Sequence, residues 1–179
     1  MMDDGEDVIA AATEARKKWA RSEGLKMWKQ HGGKKVPVMT EEIIQALGIP
    51  CQEADLNKME GVSHMDENGM AFIMLNRNLA PNRKRFTLAH ELAHIALEHV
   101  SMDKSSQQSS SSQETEAHEF AGALLVPADD LKAFMKAGFK NLDQIAERYQ
   151  VSKDAALIAV NRNRLFMKLR ATAAATGIL

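Results

Sequence analysis

His90, Glu91 and His94, in the run RFTLAHELAHIALEH, are the residues of this 179-residue chain best placed by type and spacing to do chemistry. On a helix, residues four apart stand one turn above each other, so the two imidazoles can be aimed at one cation. Glu91 then lies beside the ion without ligating it, where it can take a proton from water activated there. The sequence around the three residues is strongly helical in character, as such a site requires.

The spacing is the H-E-x-x-H of zinc-dependent hydrolases, and it is incomplete as it stands. A catalytic zinc takes three ligands from the protein and leaves a fourth position to water. One known arrangement adds a glycine and a third histidine, at positions that here hold Leu97 and Val100, and is excluded. His99 lies five residues beyond His94, about 140° round a continuous helix. It is expected to face away from the ion unless the helix ends early, serving as a capping charge at the helix C-terminus. What remains is a carboxylate on the following helix, where Glu114, Glu116 and Glu119 compete. Glu119 points almost opposite the apolar face and reads as a solvated charge. Glu114 and Glu116 flank that face on either side, and helical geometry does not separate them.

The elements that must position these groups are legible in outline. The helix carrying the motif is expected from about Arg85 to His99, after a loop containing Pro81. The next is expected from about Gln113 to Val126, with Ala117, Phe120, Ala121, Leu124 and Leu125 on one face and Pro127 as its stop. Gly69 to Leu75 is the strongest strand, preceded by the turn Asp66-Glu67-Asn68-Gly69, and Gly61 to Met65 can pair with it as a hairpin. A charged helix from about Val8 to Gln30 carries Ile9, Ala12, Ala15 and Trp19 along one side, with Trp28 continuing that contact. Thr40, followed by Glu41 and Glu42, reads as the start of a short helix ended by Gly48 and Pro50. Ser105 to Ser112 is a Ser/Gln tract that reads as a flexible surface loop. A short helix over 129–138, two more over Leu142 to Tyr149 and Lys153 to Asn163, and a frayed tail around Ala171 to Ala175 complete the chain.

These elements predict an α+β fold. The expectation is a mostly helical domain with a small antiparallel sheet and a C-terminal helix-turn-helix-like segment, and the H-E-x-x-H motif makes that domain zincin-like and peptidase-like. The organisation expected is a helical extension over 1–34, a core over 35–128 and a C-terminal helical segment over 129–179. Composition bounds the setting: 45% hydrophobic residues allow a real core, and a formal charge of -1 argues against a nucleic-acid surface running over the whole chain. The single cysteine, Cys51, excludes an intramolecular disulfide and makes a cysteine-ligated zinc unsuitable. With no apolar leader and no run of about 20 apolar residues, the expectation is a cytoplasmic protein with no membrane partner.

RFTLAHELAH followed by EAHEFAGALLVP resembles the ImmA/IrrE family of metallo-endopeptidases, of the gluzincin type, over about residues 56–165. That resemblance implies His90, His94 and Glu116 as zinc ligands, with Glu91 as general base; the sequence leaves manganese open as the ion used in activity. The family usually has Asn or Asp where this chain has His118, a position that implies orientation of the site from behind the ligands. His64, His118 and Tyr149 are candidates by chemistry alone for a substrate or oxyanion contact. By the same resemblance the substrate is a helix-turn-helix transcriptional repressor. The long N-terminal helix is not explained by the family and is a candidate docking element.

A second class of function competes with this one. Leu142 to Ala156 resembles a helix-turn-helix, with Ala146 at the close helix contact and Val151 in the turn, and Lys and Arg outnumber acidic residues between Leu131 and Arg170. That reading makes the chain a DNA- or regulator-binding module without independent proteolysis. Against it, Gln150 stands where such turns commonly have glycine.

Overall fold

The computed structural model of the chain describes residues 4–99, 110–138 and 141–165, so most of the Ser/Gln tract and the Ala171 to Ala175 tail lie outside the described residues. Among them are seven helices and a three-stranded sheet, in the order α1 (Asp4–Gln30), α2 (Thr40–Ala46), β1 (Cys51–Ala54), β2 (Gly61–Met65), β3 (Ala71–Asn76), α3 (Pro81–Ala96), α4 (Ser111–Leu125), α5 (Ala128–Lys136), α6 (Leu142–Tyr149) and α7 (Lys153–Arg162). The fold is α+β and mostly helical, as the sequence predicts.

The expected hairpin is formed by β2 and β3, which pair antiparallel with Gly61 opposite Leu75 and Met65 opposite Ala71. Asp66 closes its turn. One carboxylate oxygen accepts from the Asn68 amide at 2.9 Å and the Met70 amide at 2.8 Å, while Gly69 takes a φ of +79°. The sheet is mixed rather than purely antiparallel, because β1 pairs parallel with the other side of β3 and leaves β2 at an edge. Nothing in the pattern of β1 announces a strand: it is four residues long and three of them are exposed.

Helix α3 begins at Pro81, earlier than its apolar pattern suggests. Proline suits the first helical position because its fixed φ fits and its missing N–H would have had no partner there. The face expected for α4 is the one it buries: Ala117, Phe120, Ala121 and Leu124 are fully enclosed, against Leu88, Leu92 and Ala93 of α3 and Ile73 of β3 in one core. This packing of α3 on α4 beneath the hairpin brings the chemistry-bearing residues together.

The buried side of α1 differs from the expected one. Val8 and Ile9 are exposed and Trp19 is 36% exposed; Trp28 is buried as expected, but in line with Ala20 and Gly24. Those three recur every four residues and form the seam on which α1 crosses α4. Small residues win over large ones because the backbones approach closely: a Cβ at Gly24 would sit 2.4 Å from the Phe120 carbonyl oxygen. Gly24→Ala is therefore expected to destabilise the protein by about 2 kcal/mol through overpacking. At this chain length that corresponds to a melting temperature lower by about 4–8 °C, checked by thermal unfolding.

At the C-terminal end, α6 and α7 form the expected pair. Gln150 adopts the left-handed conformation, φ +51°, that a glycine would have taken more cheaply, and Ser152 caps α7 by accepting from the Ala155 amide. Val151 is buried in the turn.

Candidate metal centre

His90 and His94 lie one turn apart on α3, as their spacing requires, with their Nε2 atoms 3.1 Å apart. The third group at this point is Glu114. Its Oε2 is 3.1 Å from His90 Nε2 and its Oε1 is 3.4 Å from His94 Nε2. Glu114 owes its place to the start of α4, where Ser110 and Gln113 form a reciprocal capping box that fixes the first turn.

Glu116, the ligand implied by the resemblance, has different partners. Its carboxylate is clasped by Arg16 of α1, Nε to Oε1 at 2.8 Å and Nη2 to Oε2 at 2.6 Å, and Oε2 also lies 3.1 Å from His99 Nε2. With both oxygens engaged there, Glu116 is not among the groups that converge with His90 and His94. Glu119 is not a solvated charge either. It bonds Arg21 of α1 at 2.8 Å and Arg162 of α7 at 3.0 Å, because helices flank α4 on that side.

The donor set fits a divalent cation. Two imidazole nitrogens and a carboxylate oxygen point at one spot, an arrangement of lone pairs that is repulsive unless a proton or a cation stands among them. One donor atom from each of the three residues lies within 4.8 Å of the other two, close enough for all three to reach a single ion. Electrostatics favours the ligating forms. Burial lowers the pKa of His94 to about 4, helped by His90, and burial followed by the nearby His118 lowers that of His90. Both rings are thus neutral at physiological pH, as metal binding requires.

Glu91 stands apart from this trio and is itself buried. Its Oε2 accepts a hydrogen bond from Ser63 Oγ at 2.8 Å. Burial raises its pKa to about 6, with the Ser63 bonds opposing the rise. The hairpin can come this close only because Gly61 lacks a side chain: a Cβ there would lie 2.9 Å from Glu91 Cγ and 2.8 Å from Thr87 Cγ2. Ser63 has no sequence signal of its own. Its role follows from the strand's alternation, which turns Ser63 toward α3 and its neighbour His64 to the other face.

The remaining candidates separate cleanly. His118 packs beside the centre, its ring stacked on Phe86 at 5.3 Å and 4.7 Å from the ring of His90. It forms no hydrogen bond to His90 Nδ1, which is buried without a partner. His64 sits edge-on against Phe72. Tyr149 is a core residue whose hydroxyl donates to Asp130 at 2.6 Å. His99, expected to face away, turns back toward the site because α3 ends at Ala96: Glu98 takes a φ of +58°, and the His99 amide bonds the His94 carbonyl at 2.8 Å. Its Nδ1 lies 3.2 Å from His94 Nδ1.

The model of the family Peptidase_M78, described as the IrrE N-terminal-like domain, matches residues 44–161. No curated protein matches the chain. Among solved structures, a Mycobacterium tuberculosis transcriptional regulator has a similar fold, with a TM-score of 0.54 at 17% identity. The match covers 76% of this chain but only 44% of the regulator, so the chain spans less than half the length of that protein.

Proposed function

Since the chain belongs to the family of the IrrE N-terminal-like domain, Peptidase_M78, we propose that it is a zinc-dependent endopeptidase whose substrate is a helix-turn-helix transcriptional repressor. The observation that carries this reading is the convergence of His90 Nε2, His94 Nε2 and a Glu114 oxygen, with the buried Glu91 beside them. In this reading His90, His94 and Glu114 hold the ion. When bound, zinc supplies Lewis acidity, lowering the pKa of water and polarising a peptide carbonyl.

The chain's own residues do the rest. Glu91 accepts a proton from the attacking water at its carboxylate and delivers it to the leaving amine. A pKa near 6 suits this exchange, because the group is ionised at neutral pH yet readily protonated. Ser63 holds the carboxylate in one orientation through Oε2. The repressor substrate is supported by family resemblance, and it is in keeping with the presence of this fold in a transcriptional regulator.

The basic surface that would serve DNA binding is partly committed elsewhere. Arg148 pairs with Asp130, Lys153 with Asp143 and Arg162 with Glu119. No helix among the described residues is long and apolar enough to cross a membrane.

Elemental mass spectrometry of the purified chain is expected to find about one zinc per molecule. Incubation with helix-turn-helix repressors is expected to yield discrete fragments, lost with a chelator and restored by zinc or manganese. A folded, metal-free chain that refuses added zinc would sink the proposal.

A further inference from the structure

Helix α1 lies wholly outside the residues matched by the family, yet it reaches the metal centre through an unbroken chain of side chains. The Arg16 guanidinium, stacked 4.4 Å over the Trp19 ring, donates two hydrogen bonds to Glu116. Glu116 Oε2 faces His99 Nε2 at 3.1 Å, and His99 Nδ1 faces His94 Nδ1 at 3.2 Å. The side chains of His99 and Glu116 are only 3% and 5% exposed, so water does not compete for the bond between them.

The protons in this chain have only one consistent arrangement. His94 must offer a lone pair at Nε2 to act as a ligand, so its proton sits on Nδ1. That N–H can donate only if His99 Nδ1 is a lone pair, which puts the His99 proton on Nε2. His99 Nε2–H then donates to the Glu116 carboxylate, whose charge is matched by Arg16. A metal-bound histidine commonly donates its second N–H directly to a carboxylate or a carbonyl. Here the carboxylate stands one imidazole further back.

We propose that Arg16, Glu116 and His99 are positioning residues that fix the ring orientation and tautomer of His94, making α1 a working part of the metal centre. The inference rests on the assignment of His90, His94 and Glu114 as ligands. It also gives Glu116, which the resemblance implies as a ligand, a place behind the metal.

The test is zinc affinity of the full chain, measured by competition with a chromophoric chelator, together with nitrogen-15 spectra of the histidine rings. His99→Phe is expected to weaken zinc binding by about 10- to 100-fold. Arg16→Met, at a position with a 56% exposed side chain, is expected to weaken it in the same direction by a smaller factor. Because His99→Phe cuts the chain, adding Arg16→Met to it should cost nothing more. In the zinc-loaded wild type, the spectra should show His94 protonated on Nδ1 and His99 on Nε2.

Wild-type affinity in both single variants, or the opposite tautomers, overturns the relay and leaves the ligand assignment standing. An Arg16→Met loss that persists in the His99→Phe background, or that follows an equal loss of stability in the metal-free protein, shows that Arg16 merely anchors α1. A wild type that binds no zinc, or a Glu116 variant that loses stoichiometric zinc while Glu114→Ala keeps it, removes the assignment and the relay together.

Discussion

Glu91→Gln is expected to keep its zinc and to lose about 10²- to 10⁴-fold in cleavage rate, the usual contribution of a positioned acid–base group. Glutamine has the same shape and can still accept from Ser63 Oγ, which lies 2.8 Å from Oε2 in the wild type. It has no affinity for the proton that must be moved. The same substitution should make the metal-free protein more stable at neutral pH. Burial raises the native pKa of Glu91 from 4.5 to about 6, so the folded state holds the proton more tightly than the unfolded one. Stability therefore falls as pH rises from about 4.5 to about 6 and stays lowered above that, by about 2 kcal/mol. The neutral amide of the variant escapes this penalty. Metal content, single-turnover cleavage and thermal unfolding at pH 7 check the three parts; a variant that cleaves as fast as wild type rules out Glu91 as the base.

The second large effect separates two carboxylates only two residues apart. Glu114→Ala is expected to abolish stoichiometric zinc binding, because it leaves two histidines and no third protein ligand. Glu116→Ala is expected to retain about one zinc per chain at weaker affinity. In the metal-free state it should also lower stability, since it leaves Arg16 and the buried His99 without their shared partner. Equilibrium dialysis followed by metal analysis distinguishes the two, and zinc retention in Glu114→Ala would reverse the assignment.

These two glutamates show where the chain is legible and where it is not. The pairing of His90 with His94 is a local matter, set by helical periodicity, and so is the buried face of α4. Choosing between Glu114 and Glu116 is not local, since both border that face. What separates them in the structure is Arg16, 100 residues earlier in the chain, which holds the Glu116 carboxylate while Glu114 lies beside the histidines. His99 is hidden for a related reason. Periodicity carries it away from His94, and only the left-handed turn at Glu98, which no glycine announces, brings it back. The seam of α1 is masked because its large apolar residues suggest one face, while the close crossing over Phe120 needs Ala20 and Gly24. Strand β1, short and exposed, has no alternation to read. Ser63 becomes meaningful only once Gly61 has let the hairpin settle on α3.

Glu114 sits in the opening turn of α4, held there by the Ser110–Gln113 cap. Ends of helices are where native structure opens most readily. Fraying of this turn would carry the carboxylate away from the histidines, and an ion bridging the three would keep the turn wound. Local unwinding and ion release thus become one linked equilibrium, in which occupancy of the centre and order at the helix start rise and fall together.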